Sequence, residues 1–472
     1  MVTNVFIASL LRVIQRVGPI ALMITATTLG QIVSVQAQTS RNFARPAQTP
    51  IEHLIVLMQE NHSFDNYFGA YPGADGIPPG VCMPIDPFSS ANTECVKPFR
   101  IGDNDVELSD PDHSDSTHQV QYNDGRMDGF VFALNQRNQD GRLAMGYYDG
   151  TQLPYYWNIA DEYVLFDRFF SSAASGSFTN HMYWVAAAPE PEAGVAPINS
   201  LPTIFDRLQE AGVTWKFYVQ NYDAGLNYRT SHLYPGNRAS QVIWVPLLNM
   251  DRFLDDPELA SHIVDLNEYH EDMINGALPQ VAYLVPSGPS EHPPSSIMSG
   301  QRFVKTLIQM LMQSDYWDRS AFLWTYDDWG GWYDHVRPPR VDAHGYGFRV
   351  PALLVSAYAR RGYIDSTTLD YTSIIKFISD NWNLHSLAER DAQADTFINA
   401  FDFAHGPREP AFVQFERDAA VTKPAPRRPV IYLIYGAGII LSSAFIFVTL
   451  IWQRNGRRRI RYEEDIWKRS VE

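Results

Sequence analysis

The chain has 472 residues and a formal net charge of −16, with 45% hydrophobic and 19% charged residues. This composition excludes an intrinsically disordered chain, and the acidic balance argues against a nucleic-acid partner, which requires a cationic face. Two cysteines exclude a disulfide scaffold and a cysteine-rich zinc module, while 13% aromatic residues indicate a large packed core.

The first 37 residues predict an export signal. Arg12 and Arg16 precede an uncharged stretch over residues 17–35, and a small-residue cleavage site follows at Ala37. We therefore expect residues 1–37 to be a cleaved signal peptide. An uncleaved membrane anchor is the alternative.

Short apolar runs bounded by turn residues predict buried strands, and amphipathic stretches between them predict helices. The predicted strands are Ile51–Met58, Val164–Phe166, Val213–Val219, Val281–Val285, Ala321–Tyr326 and Val350–Ala357. The predicted helices include Thr203–Ala211, Gln301–Gln313 and Tyr371–Asn381. This alternation predicts an α/β fold with a mostly parallel sheet and helices on both faces. Ligands of such sheets bind at the carboxyl ends of the strands.

The segment after the first predicted strand carries oxygen ligands at this edge. Glu60 and Asn61, with Asp65 as a further option, offer the donors that a hard divalent cation prefers. The alternative is a helix cap, with Ser63 or Asn61 at its first position and the aromatic residues packed inward.

Cys82 and Cys95 lie in a stretch rich in proline, glycine and serine. In an exported domain we expect them to form one disulfide that closes this loop. Two inert thiols are the alternative.

Three further segments carry histidine or hydroxyl side chains. Residues 110–128 place His113 and His118 among acids, residues 172–184 are rich in small hydroxyl residues, and His292 follows the strand Val281–Val285. The second segment lacks the G-x-S-x-G elbow of ordinary serine hydrolases. Taken alone, each segment is more typical of a polar loop than of a site.

Asp327 and Asp328 directly follow the strand Ala321–Tyr326. Adjacent carboxylates repel one another, which costs stability unless they are solvated or bridged by a cation. Gly330 and Gly331 allow a close approach of the backbone, and an acid–histidine pair follows at 334–335. A solvated turn is the alternative.

Residues 430–452 carry no charge and are long enough for one transmembrane helix. Residues 423–429 contain three prolines and predict a linker, while residues 453–472 include the arginine cluster expected on a cytoplasmic face. We therefore expect a single-pass protein of the cell membrane, with residues 38–422 as its extracytoplasmic domain and a cytoplasmic C-terminus. A buried core helix is the alternative for 430–452.

In this order the motifs resemble those of the bacterial phosphoesterase family, which includes phospholipases C and secreted acid phosphatases. The segments that carry the resemblance are ENHSFDNYFG (Glu60–Gly69), GRMDGF (Gly125–Phe130), SFTN (Ser177–Asn180), EHPP (Glu291–Pro294) and YDDWGGWYDHV (Tyr326–Val336). Each segment is weak alone, but the combination is specific. The resemblance implies an alkaline-phosphatase-like three-layer α/β/α sandwich.

The resemblance also implies a divalent metal ion and roles for individual residues. These are metal ligation by Glu60, Asn61, Asp327 and Asp328, nucleophilic attack by Ser177, proton transfer by His118 and His292, and phosphate binding by His113, Asn180 and His181. Of the two histidines in 110–128, His118 is preferred for the site and His113 is the close alternative. Oxygen ligands leave Mg, Ca, Mn and Zn open as the metal.

Two positions depart from the family's pattern. His181 stands where members commonly have arginine, and Trp329 stands where they commonly have histidine. Arginine is always charged and binds phosphate with two hydrogen bonds, whereas histidine loses its charge above its pKa. The departure at 181 therefore concerns phosphate binding and not the reaction class.

The expected function is metal-dependent hydrolysis of phosphate esters through a serine nucleophile. Phospholipase C-type cleavage of phospholipids is preferred, and acid phosphatase activity on small phosphomonoesters is the alternative. Direct attack by water is the mechanistic alternative. A membrane-tethered binding protein built on an inactive phosphoesterase fold is the alternative of a different class, and the retained acids with Ser177 argue against it.

Overall fold

The computed structural model describes residues 45–102, 108–191, 196–236, 240–288, 290–417 and 442–443. The predicted signal peptide at 1–37, linker at 423–429 and tail at 453–472 lie outside these residues. The chain divides into two compact units, Met1–Arg417 and Asp418–Glu472. The fold described below is that of the first unit.

An eight-stranded sheet forms the centre of this unit. In chain order its strands are β1 (His53–Gln59), β2 (Val164–Phe166), β3 (Trp215–Val219), β4 (Ile263–Asp265), β5 (Val281–Val285), β6 (Ser320–Tyr326), β7 (Ala352–Ser356) and β8 (Tyr363–Asp365). Across the sheet they lie in the order β8-β2-β7-β6-β1-β5-β3-β4. All residues of β1, β5, β6 and β7 are buried, so both faces of the sheet are covered.

The predicted α/β fold with a mostly parallel sheet is confirmed. The pairs β1–β6, β1–β5, β3–β5, β3–β4 and β2–β8 are parallel. The six predicted strands are all present within two residues of their predicted bounds. The sheet is not entirely parallel, because β7 pairs antiparallel with both β6 and β2.

Helices connect these strands. The described α-helices are α1 (Phe64–Phe68), α2 (Asp115–Tyr122), α3 (Phe130–Gln136), α4 (Pro154–Glu162), α5 (Ser177–Ala186), α6 (Ile204–Ala211), α7 (Gln241–Trp244), α8 (Asp251–Asp255), α9 (Pro257–Ala260), α10 (Asn267–Ile274), α11 (Ile297–Met312), α12 (Tyr371–Asn381) and α13 (Glu389–Gln393). The helix predicted at 203–211 begins one residue later because Thr203 is its N-cap, in a reciprocal capping box with Asp206.

Shorter elements complete the described part of the chain. Two-residue strands pair Met83–Pro84 with Cys95–Val96 and Phe99–Arg100 with Gly146–Tyr147. Cys82 and Cys95 are joined in a disulfide beside the first of these pairs. The described 3₁₀ helices are Asn123–Gly125, Gly141–Met145, Ser231–Leu233, Pro246–Asn249, Trp317–Arg319 and Phe397–Ala400.

The predicted transmembrane helix at 430–452 requires a correction. Among the described residues, no helix is both long and apolar enough to cross a bilayer. The longest, α11, has 16 residues, about 24 Å at 1.5 Å per residue, against a hydrocarbon core of about 30 Å. The segment 430–452 itself lies outside the described residues, apart from Ser442 and Ser443. The prediction of a single-pass membrane protein, which rested on that helix, is contradicted by this finding.

Candidate active site

The site lies where β1 and β6 end side by side. Gln59 is the register partner of Tyr326, so Glu60 and Asp327 leave neighbouring parallel strands at the same level. The backbone N–H of Asn61 donates to Asp327 Oδ1 at 2.9 Å. Asn61 adopts φ 63°, a left-handed conformation that asparagine tolerates better than most residues.

Gly330 lets the second segment approach the first. A Cβ atom at this position would lie 2.0 Å from the carbonyl oxygen of Asn61, and the residue also has φ +62°. Any side chain would therefore push the two strand ends apart. Gly330, two residues after Asp328, is therefore needed for this contact.

Four polar residues form what we call the open cluster: Glu60, Asn61, Asp327 and Asp328. All four are at most 2% exposed. Burial, followed by the charges of Asp327 and Asp328, raises the pKa of Glu60, and burial with the charge of Asp327 raises the pKa of Asp328. Among the described residues, neither lysine nor arginine forms an ion pair with these carboxylates.

Unpaired oxygens in the open cluster fit a bound cation. Asn61 Oδ1 and Asp327 Oδ2 are buried and have no hydrogen-bond partner among the described residues. Buried oxygens normally find a donor, and buried like charges are costly without a counter-charge. A divalent cation held by these oxygens would satisfy both requirements.

Ser177 is the hydroxyl residue that reaches the open cluster. It is the first residue of α5, and its Oγ lies 3.4 Å from Asp328 Oδ2. The neighbouring hydroxyls have other partners, since Ser175 Oγ donates to Asp115 at 2.9 Å and Thr179 Oγ1 donates to Glu190 at 2.9 Å. Position, and not residue type, therefore distinguishes Ser177 within this serine-rich segment.

Asn180 shapes the loop that precedes Ser177. Its side-chain oxygen accepts from the Ala173 N–H at 2.9 Å, and its Nδ2 donates to the Ser175 carbonyl at 2.8 Å. The side-chain amide is fully buried, and both its oxygen and its nitrogen have hydrogen-bond partners. In this geometry Asn180 positions the loop before Ser177, whereas phosphate binding by Asn180 stays a prediction.

His113 and His292 lie beside the open cluster. Nδ1 of His113 donates to the Pro111 carbonyl at 2.8 Å, and its Nε2 lies 2.9 Å from Asn61 Nδ2. The rings of His113 and His292 have centroids 5.7 Å apart. Burial lowers the pKa of His113, but the carboxylates of Asp328 and Asp110 raise it more, which leaves this pKa above its ordinary value.

His118 lies in an aromatic environment. Its ring stacks on Phe348 at 4.2 Å and meets Trp329 edge-on at 4.9 Å, and burial lowers its pKa to about 3. None of its described contacts reaches the open cluster. The geometry favours His113 over His118 at the site, so the catalytic role of His118 stays a prediction without a contact to support it.

His181 is buried against the open cluster. Its Nε2 lies 3.4 Å from Glu60 Oε1, and burial lowers its pKa to about 4. The ring is therefore a neutral imidazole that faces carboxylates. The sequence predicted that this histidine binds phosphate. Its spacing of four residues from Ser177 on one helix was the signal that could have placed it on the same face, beside Glu60.

Glu291 is a buried acid whose position sequence reasoning missed. Its carboxylate accepts hydrogen bonds from the hydroxyls of Tyr67, Tyr156 and Tyr326. Burial raises its pKa to about 7 against the lowering effect of these bonds. A Cβ atom on Gly300 would lie 2.0 Å from Glu291 Oε1, so α11 has glycine where it passes the carboxylate. The three tyrosine hydrogen bonds thus fix the backbone at Glu291, the residue directly before His292.

A second cluster, which we call the closed cluster, comprises Asp65, Asp334, His335 and Arg349. Its two acids lie in the same two segments as the open cluster, and its members are buried apart from His335, which is half-buried. Arg349 Nε lies 3.0 Å from Asp334 Oδ1 and its Nη2 lies 3.1 Å from Asp65 Oδ1. His335 Nδ1 lies 2.7 Å from Asp65 Oδ2. The guanidinium already occupies the space between the carboxylates, so Asp65 belongs to a structural ion-pair network and not to the open cluster.

Comparison with known proteins places these motifs in one family. The model of the Phosphoesterase family matches residues 51–385. Phospholipase C A of Mycobacterium tuberculosis is 29% identical over 415 residues, covering 76% of this chain and 78% of that protein. Non-specific phospholipase C6 of Arabidopsis thaliana is 27% identical over 414 residues, covering 76% and 74%.

One solved structure among the matches is a protein in the alkaline phosphatase superfamily from Vibrio parahaemolyticus. It is 13% identical and covers 74% of this chain and 71% of its own, with a TM-score of 0.36. That score is too low to support an argument about the site.

Proposed function

Because the chain belongs to the Phosphoesterase family, we propose that it cleaves phospholipids in the manner of a phospholipase C, with Ser177 as nucleophile and a divalent cation in the open cluster. Membership makes the chain a phosphoric ester hydrolase. The nucleophile, the cation and the substrate class are the proposal.

One observation carries the proposal. Ser177 Oγ lies 3.4 Å from Asp328, within a cluster of buried oxygens that have no cationic side chain among the described residues. A weakly acidic hydroxyl needs activation before it can attack phosphorus, and an adjacent acceptor provides it. The same cluster provides oxygen ligands for a cation, so the nucleophile and the metal site coincide.

The cation would be held by Glu60, Asn61, Asp327 and Asp328. When bound, it would neutralise charge on the phosphoryl oxygens and lower the pKa of an oxygen nucleophile. Its presence would also remove the repulsion among the three carboxylates.

The reaction follows from the positions of the side chains. Ser177 Oγ attacks phosphorus and passes its proton to Asp328, and the bond between phosphorus and the glycerol oxygen breaks. The leaving oxygen takes a proton from the pair His113 and His292. Water then attacks phosphorus and gives a proton to the histidine that protonated the leaving oxygen. Ser177 Oγ leaves phosphorus and takes its proton back from Asp328, which releases the phosphorylated headgroup.

Three relatives support a phospholipid substrate. The proteins of Mycobacterium tuberculosis and Arabidopsis thaliana carry phospholipase C names, and so does the non-hemolytic phospholipase C of Burkholderia pseudomallei, 27% identical over 398 residues, covering 71% of this chain and 55% of that protein. Small phosphomonoesters remain the second substrate class to test, since the same nucleophile and cation would cleave them.

Product analysis tests the proposal. The purified protein is incubated with phosphatidylcholine and, separately, with p-nitrophenyl phosphate, each with and without chelator. We expect diacylglycerol and phosphocholine, and their loss on chelation with recovery on metal addition. Hydrolysis of p-nitrophenyl phosphate alone would overturn the phospholipid part, and full activity after exhaustive chelation would overturn the metal part.

A further inference from the structure

His181 lies on the same helix face as Ser177. The two residues are four positions apart on α5, so their side chains project from neighbouring turns of one face. His181 is 0% exposed. One ligand atom each from His181, Glu60 and Asp327 lies within 4.8 Å of the others. The helix that presents the nucleophile thus also presents an imidazole to the carboxylates.

The distance between His181 and Glu60 does not fit an ordinary ion pair. Charge-assisted N–H···O⁻ bonds are about 2.7–2.9 Å long, whereas His181 Nε2 lies 3.4 Å from Glu60 Oε1. Two donors bound to one tetrahedral zinc at about 2.0–2.1 Å lie about 3.3–3.4 Å apart. The observed separation is therefore that of two ligands of a common ion.

A second observation concerns the other ring nitrogen. His181 Nδ1 is buried and has no hydrogen-bond partner among the described residues. Among the described residues, no hydrogen bond at Nδ1 therefore competes with the ring orientation that faces Glu60 and Asp327.

We propose that His181 is a nitrogen ligand of the cation in the open cluster and shifts its preference towards zinc and away from calcium and magnesium. Imidazole suits zinc and other transition metals, whereas magnesium and calcium prefer oxygen donors. Arginine, which family members commonly have at this position, has no lone pair to donate to a metal. The inference rests on the metal part of the proposed function and adds a ligand particular to this chain.

Pulsed electron paramagnetic resonance of the manganese-loaded protein tests it. A directly bound imidazole gives nitrogen modulation of the manganese echo, and oxygen ligands give none. We expect this modulation in the wild type, its loss in His181→Gln, and its retention in His53→Gln. His53 is a matched control, because it is also buried but lies at the opposite end of β1, with Nδ1 on the Pro279 carbonyl.

Metal competition supplies a second readout that does not depend on turnover. We expect His181→Gln to weaken zinc binding by at least about 10- to 100-fold, the loss seen even when a group that only supports a ligand is removed. Calcium binding should change much less. A uniform weakening for both metals, with the fold intact by circular dichroism, would overturn the ligand assignment.

The outcomes separate this inference from the proposed function. Manganese bound without nitrogen modulation in the wild type would overturn the His181 assignment and leave the open cluster as an oxygen site. Modulation lost in His113→Gln but kept in His181→Gln would overturn it as well. Absence of manganese binding altogether would overturn both the inference and the metal part of the proposed function. If His181→Gln fails to fold, wild-type modulation that persists in His113→Gln supports the assignment, and absence of modulation from the wild type overturns it.

Discussion

The carboxylates of the open and closed clusters come from the same two chain segments, yet the two clusters accommodate buried carboxylates in opposite ways. In the closed cluster Arg349 is fully buried and hydrogen-bonds both aspartates. In the open cluster three carboxylates share no arginine or lysine among the described residues, and two oxygens lack partners. Since unpaired buried charge is costly, the first arrangement is complete within the protein and the second requires a ligand. The difference separates a structural group of acids from a functional one.

The largest expected effect comes from removing the hydroxyl beside the open cluster. Ser177→Ala should lower kcat by at least about 10³-fold, because loss of a covalent nucleophile removes the catalysed route itself. Initial-rate kinetics with phosphatidylcholine measure this, and metal content should stay at the wild-type level.

Matched controls lie in the same segment. Ser175→Ala and Thr179→Ala remove hydroxyls that point to Asp115 and Glu190, so turnover should stay within a few-fold of wild type. Rapid quench should also trap a phosphorylated group on Ser177. Near-normal activity of Ser177→Ala, or an inactive Thr179→Ala, would show that the nucleophile is misassigned.

Next in size is the loss of the cation from the open cluster. Asp327→Asn should lose bound divalent metal and nearly all turnover, while the metal-free protein unfolds at the same or a higher urea concentration. The substitution removes one of three repelling charges, and the amide oxygen can still accept from the Asn61 N–H. Elemental analysis and urea unfolding are the measurements. Wild-type metal content in this variant would remove Asp327 from the site.

The closed cluster should respond in the opposite way. Asp334→Asn should lower the free energy of unfolding by about 3–5 kcal/mol, because Arg349 loses one of its two buried carboxylate partners and keeps only Asp65. Metal content should not change. Chemical denaturation checks the first expectation and elemental analysis the second. A loss of metal with unchanged stability would mean that this group, and not the open cluster, holds the cation.

The smallest effect is the pH dependence that His335 gives to the closed cluster. Burial lowers the pKa of His335, but the hydrogen bond and charge of Asp65 raise it more, so its pKa in the folded state lies above the unfolded value of about 6.5. The stabilisation is therefore complete below about pH 6.5 and is lost as pH rises through the folded pKa. Unfolding titrations should show His335→Gln less stable than wild type at pH 5, with the difference shrinking at pH 9. An equal difference at both pH values would contradict the linkage.

The strands of the sheet were largely predictable from the sequence. Continuous apolar runs such as Val281–Val285 and Ala321–Tyr326 have few alternatives to a buried strand, and their bounds were nearly correct. The edge strands β4 and β8 were not predicted, because each has only one buried residue of its three and so lacks the continuous apolar run of the equally short β2. The antiparallel direction of β7 was not predicted either, because a run of apolar residues does not encode the direction in which its strand pairs.

The site residues divide in a similar way. The position of Glu60 and Asp327 next to each other followed from two strands that end in acids. The choice between His113 and His118 did not follow from the sequence, because both lie in one polar segment. Only the packing of His118 against Phe348 and Trp329 distinguishes the two histidines. The sequence likewise did not indicate that the side-chain amide of Asn180 would hydrogen-bond the backbone of the loop before Ser177.

By itself the sequence determined that the chain is an α/β phosphoesterase with acids at two strand ends, because apolar periodicity and ordered motifs are local properties of the chain. The tertiary structure decided which acids are neutralised and which are left open. Asp65 and Asp327 both follow a buried strand in the sequence. Arg349 pairs with Asp65, which is nearly 300 residues away along the chain, and not with Asp327, which is little more than 20 residues away. The charge state of a buried carboxylate depends on what the fold brings within a few ångströms of it, and this is set by long-range packing.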